Sequence, residues 1–533
     1  MDRRNFLKMG AGAGIASFLW DGCGSSSACE PLNVLWIVAD DLGYGDLGCY
    51  GCRDIPTPRL DRLASEGILF ERAYASPVCS PTRASLLTGR YPQDFRMEDA
   101  LVGQHGSLSP DPVTAAELFR DAGYKTALVG KWHLGKNRES HPLSQGFDEF
   151  YGFLGGAIHY EKHTYLPPGQ RDESLASVDF FDGWNVSHDV GHSTDLFVKR
   201  AETFLKNRGE DKNPFFLQVA FNAPHYARGT SEKNPRKPEE ILQAPSKWVE
   251  MFAKNPAAPS LRELYRAVVA QMDDGIGRLL ETLKASGMDK NTIVLFMSDH
   301  GATLPHGGSN GLLRGEKHTL WEGGIRTPCM VRLPLKSFFD KRRGIRFRQP
   351  CSVRDIFPTT SALAGLSMNA AEVAGLEMGS NRADEWLSGR ENTVASEVRS
   401  ECFKYGEKRA VVRGRWKMIQ DKIGGLIELY DVESDPSETK NIASSFPEIS
   451  VQLEREWNKW YRPYAKRESA IASEEHDSNK KRLDAATLAL QQCPTNSTAS
   501  AEKQKAWEQA SSGMKWAERE KMHAEHWART VGE

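Results

Sequence analysis

The sequence predicts an α/β protein: a large, mostly parallel sheet sandwiched by helices, followed by a smaller C-terminal α+β domain with an antiparallel sheet. Three observations carry this reading. Four short apolar runs lack the alternation of a half-exposed strand, so each reads as a strand covered on both faces. Helical patterns lie among them, with Pro near the start or Gly near the end. From about residue 390 the texture shifts to runs that read as paired antiparallel strands.

The elements follow in order. NVLWIVADD (33–41) is the first buried strand, and TPRLDRLASEGILF the first helix, entered at Thr57–Pro58 and ended near Gly67. CSPTRASLLTGR suits a second helix, with Pro81 in its first turn and Gly89 at its end. DPVTAAELFRDAGY is a helix ending near Gly123, and KTALVGKWH (125–133) is the second strand. Residues 153–195, rich in Gly, His, Tyr and Asp, read as loops, and 225–260 as a surface insertion. FFLQVAFNAPH (215–225) is the third strand, a long helix ends at Gly287, and NTIVLFMSDHG (291–301) is the fourth strand. The expected divisions are 1–30 export signal, 32–385 catalytic domain, 386–465 C-terminal subdomain and 466–533 charged helical extension, with a helix through Trp507, Trp516 and Trp527.

Composition bounds the function. A formal charge of −2 argues against nucleic acid or an anionic membrane as the main partner. Arg3–Arg4, Phe6–Leu7 and a short Gly/Ala-rich stretch resemble a bacterial twin-arginine export signal, too short to span a bilayer. LWDGCGSSS resembles a lipoprotein cleavage site that would place a lipid on Cys23, although Trp20 and Asp21 are unusual there. The expected location is therefore the periplasm, or the bacterial cell envelope through a lipid anchor, with the twin-arginine machinery as a partner. Nine cysteines, an odd number in an exported chain, argue against a complete disulfide framework. Cys49 and Cys52 read as two half-buried small side chains or one local disulfide.

Each buried run ends in ionisable residues: Asp40–Asp41, then Lys131 and His133, then His225, then Asp299–His300. Ligand sites of open α/β sheets lie beyond the carboxyl ends of the strands, so four segments deliver charge to one edge. Three carboxylates brought together call for a hard cation, Ca²⁺ or Mg²⁺; a lone Asp-Asp pair could instead cap a helix or form an Asx turn. Cys79 heads its helix, where the macrodipole favours a thiolate. Three acids and two lysines nonetheless fit poorly with the simple base and oxyanion hole of a cysteine hydrolase.

CSPTRASLLTGR resembles the type I sulfatase signature C/S-x-P-x-R-x-x-x-L-T-G-R, and the resemblance extends over nearly all of 32–465. NVLWIVADDLGYGDLGCYG, YKTALVGKWHLG, NAPH, GLLRGEKHTLWEGGIRTP and ELYDVESDPSETKNIA resemble further family segments in the same order. The resemblance implies an alkaline phosphatase-like fold and hydrolysis of an organic sulfate ester, either an aryl sulfate or a sulfated carbohydrate. It implies that Cys79 is converted to 3-oxoalanine (formylglycine) by a formylglycine-generating enzyme, and that its hydrate supplies the nucleophile. Asp40, Asp41, Asp299 and modified Cys79 would bind Ca²⁺. Arg83 would hold the formylglycine hydroxyl, while Lys131 and Lys317 would neutralise sulfate oxygens. His225 would protonate the leaving alcohol, and His133 would take a proton so that sulfate is expelled. One departure is His300, where many members carry Asn; imidazole is a less natural Ca²⁺ ligand, and His300 is counted with the metal residues.

Other residues take plainer readings. Trp132 reads as packing, His159, His163 and Tyr160 as exposed loop residues or a sugar subsite, and Glu322 as a lysine partner or a structural ion pair. Competing functions are a phosphate or phosphonate monoester hydrolase, an inactive carbohydrate-binding relative, and a thiol-dependent or redox protein.

Overall fold

The computed structural model describes residues 31–101, 106–166, 170, 172–209, 213–227, 236–334, 343–368, 377–391, 399–491 and 498–532. The expected export signal at 1–30, with Cys23, lies outside them. Among the described residues no helix is long and apolar enough to cross a membrane.

Seven strands build the centre of the larger sheet: β1 (Asn33–Asp40), β2 (Ile68–Tyr74), β3 (Lys125–Lys131), β4 (Glu149–Phe153), β5 (Phe215–Pro224), β6 (Thr292–Ser298) and β7 (Arg326–Arg332). Their order across the sheet is β2-β7-β6-β1-β5-β3-β4. Strands β6, β1, β5, β3 and β4 are mutually parallel. Strand β7 runs antiparallel to both β6 and β2, which makes the sheet mixed towards that side. The segment read as loops contributes two-residue strands, Phe181–Asp182 and Asn185–Val186, which extend the sheet beyond β4.

Strand β1 shows why its apolar run lacks alternation. All eight residues are buried. Leu35, Ile37 and Ala39 face one core, with side chains of helices α1 (Pro58–Glu66), α4 (Ser193–Arg208) and α5 (Leu261–Ala285). Val34, Trp36 and Val38 face the other, with α2 (Cys79–Thr88), α3 (Ala115–Asp121) and the helix Ile356–Leu363. Successive side chains of a strand point to opposite faces, so a sheet covered on both sides needs apolar residues at every position.

The chain divides into two compact units, 1–399 with 431–440, and 400–430 with 441–533. The second unit thus begins later than residue 386, and it includes the stretch expected as a separate extension. It holds three antiparallel strands, Glu401–Tyr405, Lys408–Arg413 and Trp416–Gln420, with Glu428–Asp431 as the fourth strand of that sheet. Two long helices follow, α6 (Pro447–Gln491) and α7 (Thr498–Thr530).

Candidate active site

The parallel strands place the site. Because β6, β1, β5 and β3 are neighbours running the same way, their carboxyl ends share one rim. There Asp299–His300, Asp40–Asp41, His225 and Lys131–His133 emerge. Strand β2 points the same way, and the turn after it starts α2 at Cys79. Strand β7 points the other way, so the segment before it carries Lys317 to the same rim. All ten expected site residues meet there, each no more than 6% exposed.

The contacts form three charge pairs around an acidic centre. Lys131 Nζ donates to Asp40 Oδ2 at 2.6 Å, and Lys317 Nζ to Asp41 Oδ1 at 2.7 Å. Arg83 donates to Asp299 Oδ2 at 2.9 Å and lies 3.8 Å from Asp40 Oδ1. His300 Nε2 sits 3.3 Å from Asp41 Oδ1 and 3.4 Å from Asp299 Oδ1. Burial and the neighbouring Asp299 push Asp40 well above the usual carboxylate range. Burial also acts to raise Asp41, but His225, Lys317 and His300 together hold it well below.

A cation fits this centre. One ligand atom each from Asp40, Asp41, Asp299 and His300 falls within 4.8 Å of the others, and Cys79, Asp299 and His300 form a second such group. Asp40 Oδ1 and His300 Nε2 are buried with no hydrogen-bond partner. His300 Nδ1 donates to the Gly301 carbonyl (2.9 Å), so Nε2 is the nitrogen that faces two carboxylates; burial acts to lower its pKa but Asp299 and Asp41 raise it, and a bound cation would take the place of the proton they favour there. Acceptors crowded against acceptors in a buried site are costly, and a positive ion among them relieves that cost.

Cys79 Sγ lies 3.0 Å from His133 Nδ1. His133 Nε2 donates to the Leu101 carbonyl (2.9 Å), so its Nδ1 presents a lone pair to Cys79. Burial lowers the His133 pKa, while a charge on Cys79 acts in the opposite direction, so the proton between them is shared by the pair. Burial by itself would raise Cys79, yet His133 and Lys131 bring the thiol well below its ordinary range. Asp41 and His133, each following a strand, have φ of 64° and 59°. The left-handed region is costly for such residues, and retained strain of this kind gathers at functional sites. Gly156 is part of the fit, since a Cβ there would come within 2.7 Å of the His133 ring.

Other residues sort out as follows. Trp132 is buried in the core on the α2 and α3 face of the sheet, with Nε1 on the Ser140 carbonyl. His163 is buried against Phe180 rather than exposed on a loop. Tyr160 is also buried, and its hydroxyl donates to the His225 carbonyl at 2.8 Å. His159 Nδ1 accepts from the amides of Glu161 and Lys162. Glu322 accepts from Tyr74 (3.0 Å) and pairs with Arg326. Cys49 and Cys52 are free and half-buried. Thr303, whose hydroxyl donates to Asp41 Oδ2 at 2.9 Å, was not legible as a site residue, because an isolated Thr in a loop carries no motif.

Comparison with known proteins places this geometry. Residues 32–366 match the Sulfatase family. Human N-acetylgalactosamine-6-sulfatase is 35% identical over 365 residues, which cover 65% of this chain and 64% of that protein. Mouse steryl-sulfatase is 33% identical over 411 residues, with 65% and 64% covered. Each match therefore spans a little under two thirds of the relative. Among solved structures, Ps i-CgsB in complex with k-i-k-neocarrahexaose is 31% identical with a TM-score of 0.70, over 81% of this chain and 92% of that one. With a Sulfatase match over most of its length and an alkaline phosphatase-like sheet beneath the shared rim, the chain belongs to the sulfatase family.

Proposed function

We propose that this protein hydrolyses an organic sulfate ester, and that its substrate is a sulfated carbohydrate. The observation that carries the reading is the position of Cys79, 3.0 Å from the His133 base and beside an acidic centre suited to a cation. Cys79 oxidised to formylglycine supplies, as its hydrate, an oxygen nucleophile. A divalent ion, for which the carboxylates favour Ca²⁺ over softer metals, supplies Lewis acidity when bound by Asp40, Asp41, Asp299 and His300.

The remaining work falls to side chains. Lys131 and Lys317 are placed to neutralise the sulfate oxygens as charge builds on them. Arg83, fixed on Asp299, orients the hydroxyl at position 79. His225 Nδ1 donates to the Tyr226 carbonyl (2.7 Å) and Nε2 accepts from Lys317 Nζ (3.1 Å), so Nε2 is the nitrogen that gains a proton when the ring is protonated and then hands it to the leaving oxygen. His133 Nδ1 takes a proton from the group at position 79 when sulfate departs. Support for a carbohydrate comes from relatives: one is named for N-acetylgalactosamine, and another was solved with neocarrahexaose. The twin arginines support export to the periplasm or envelope, as part of the same proposal.

The test joins chemistry to modification. The protein, matured in a host that oxidises such cysteines, should release inorganic sulfate from 4-nitrophenyl sulfate and from N-acetylgalactosamine 6-sulfate. Mass spectrometry of the peptide containing residue 79 should show an aldehyde in place of the thiol. A matured protein that cleaved only phosphate esters would sink the reading.

A further inference from the structure

We propose that Tyr226 and His306 are positioning residues that hold the ring of His225 in the orientation needed to protonate the leaving alcohol. The inference rests on His225 being the leaving-group acid. Three polar ties bear on His225: Nδ1 donates to the Tyr226 carbonyl at 2.7 Å, Nε2 accepts from Lys317 Nζ at 3.1 Å, and its own carbonyl accepts from the Tyr160 hydroxyl at 2.8 Å. Packing fixes the ring plane. The Tyr226 ring stacks on His225 with centroids 4.2 Å apart and planes 25° apart. On Tyr226 in turn rests His306, at 4.0 Å and 48°. The three rings form a column that starts at the acid.

His306 is an unexpected choice for that column. It is 8% exposed, and neither ring nitrogen has a partner among the described residues. Unpaired buried polar groups are destabilising, so their retention beside a site calls for an explanation. Burial pushes its pKa down to about 4, so the ring is neutral and places no charge near Lys317. What His306 contributes is a flat body at a fixed place. Its turn is anchored to the acidic centre: the His306 amide donates to the Thr303 carbonyl, and the Thr303 hydroxyl donates to Asp41 Oδ2. One turn thus ties the leaving-group side of the site to the metal side.

General acid catalysis matters in proportion to the basicity of the leaving group. The matured, metal-loaded enzyme would be assayed on 4-nitrophenyl sulfate, a good leaving group, and on N-acetylgalactosamine 6-sulfate, a poor one. His225→Ala is the reference. His306→Ala should lose roughly 10–100-fold in kcat on the sugar sulfate and less than about 3-fold on the aryl sulfate, a part of the 10²–10⁴ available to such an acid. His306→Phe keeps a flat ring and should recover the sugar-sulfate rate to within about 3-fold of the parent. Tyr226→Leu, which removes the middle ring, should show the same skew should His306→Ala fold poorly. Equal losses on both substrates, or no rescue by Phe, would overturn the proposal while His225→Ala still showed the skew. Absence of the skew in His225→Ala would instead overturn the acid reading beneath it.

Discussion

Asp40 and Arg409 are both buried charges, and the two regions that hold them treat charge differently. In the C-terminal unit Arg409 donates to Gln420 (2.6 Å), Asn458 (3.1 Å) and Glu454 (2.6 Å), and its guanidinium lies 5.1 Å from the Trp457 ring centre. Three separate acceptors meet that guanidinium. At the sheet rim one Asp40 oxygen and one His300 nitrogen lack a hydrogen bond, and Asp41 and His133 hold left-handed backbones. Among the described residues, no non-glycine residue of the C-terminal unit has positive φ. A fold that only needed stability would satisfy the rim as it satisfies Arg409. The difference teaches that unmet demand gathered on several ionisable groups at one place, rather than a single orphan such as Trp527 Nε1 in the C-terminal unit, marks a reactive site.

The largest expected effect breaks the rim. Cys79→Ala should reduce sulfate release by more than about 10³-fold while costing only about 1 kcal/mol of stability, read by activity and by denaturant melts. Metal removal comes next. Chelation should abolish activity and lower the melting temperature, and Ca²⁺ should restore both; in Asp299→Asn the melting temperature should no longer respond to Ca²⁺. Retention of full activity after exhaustive chelation would refute the cation site. Arg409→Met provides the converse. It should cost about 2–3 kcal/mol by loss of charged hydrogen bonds and leave kcat/KM within about 2-fold. Were the rates to fall with stability, the functional contrast between the regions would be lost.

The smallest effect concerns a neutral histidine away from the acidic centre. His141 stacks on Trp184, its Nδ1 accepts the Leu143 amide, and burial holds its pKa down to about 4. The unfolded chain takes up this proton near pH 6.5, whereas the folded protein resists until about pH 4. Its contribution is therefore complete above pH 6.5, is lost as pH falls towards 4, and is constant below that. Trp184 is 47% exposed and lets water near the ring, which holds the effect to about 1 kcal/mol. His141→Gln should flatten the melting profile between those pH values by that amount.

Legibility in the sequence followed local chemistry. The four buried strands were readable because uninterrupted apolar runs have few other uses. Strands β2 and β7 were missed because ILFERAY and RTPCMVR carry charges inside them. Those charges find partners from distant segments: Arg326 on the Glu71 carbonyl, Arg332 on Glu66. Likewise the motifs named the ionisable residues of the rim, whereas Thr303 and His306 carried no signal and Tyr160 read only as a loop residue or part of a sugar subsite. Their roles come from a hydroxyl or ring meeting a residue 65 or more positions away, as Tyr160 meets His225. His163 looked exposed because its loop is polar, but Phe180 stacks on it and covers it.

The amino-acid order by itself determined the strand ends, the helix start at Cys79 and the set of acids and bases delivered to one edge. Those depend on neighbours within a few residues, through apolar patterning and helix punctuation. Only the tertiary structure decided which lysine serves which aspartate, which imidazole nitrogen faces Cys79, and where demand is left unmet for a cation. These depend on ångström-scale distances between segments that lie far apart along the chain, and electrostatic and hydrogen-bond energies change steeply over such distances.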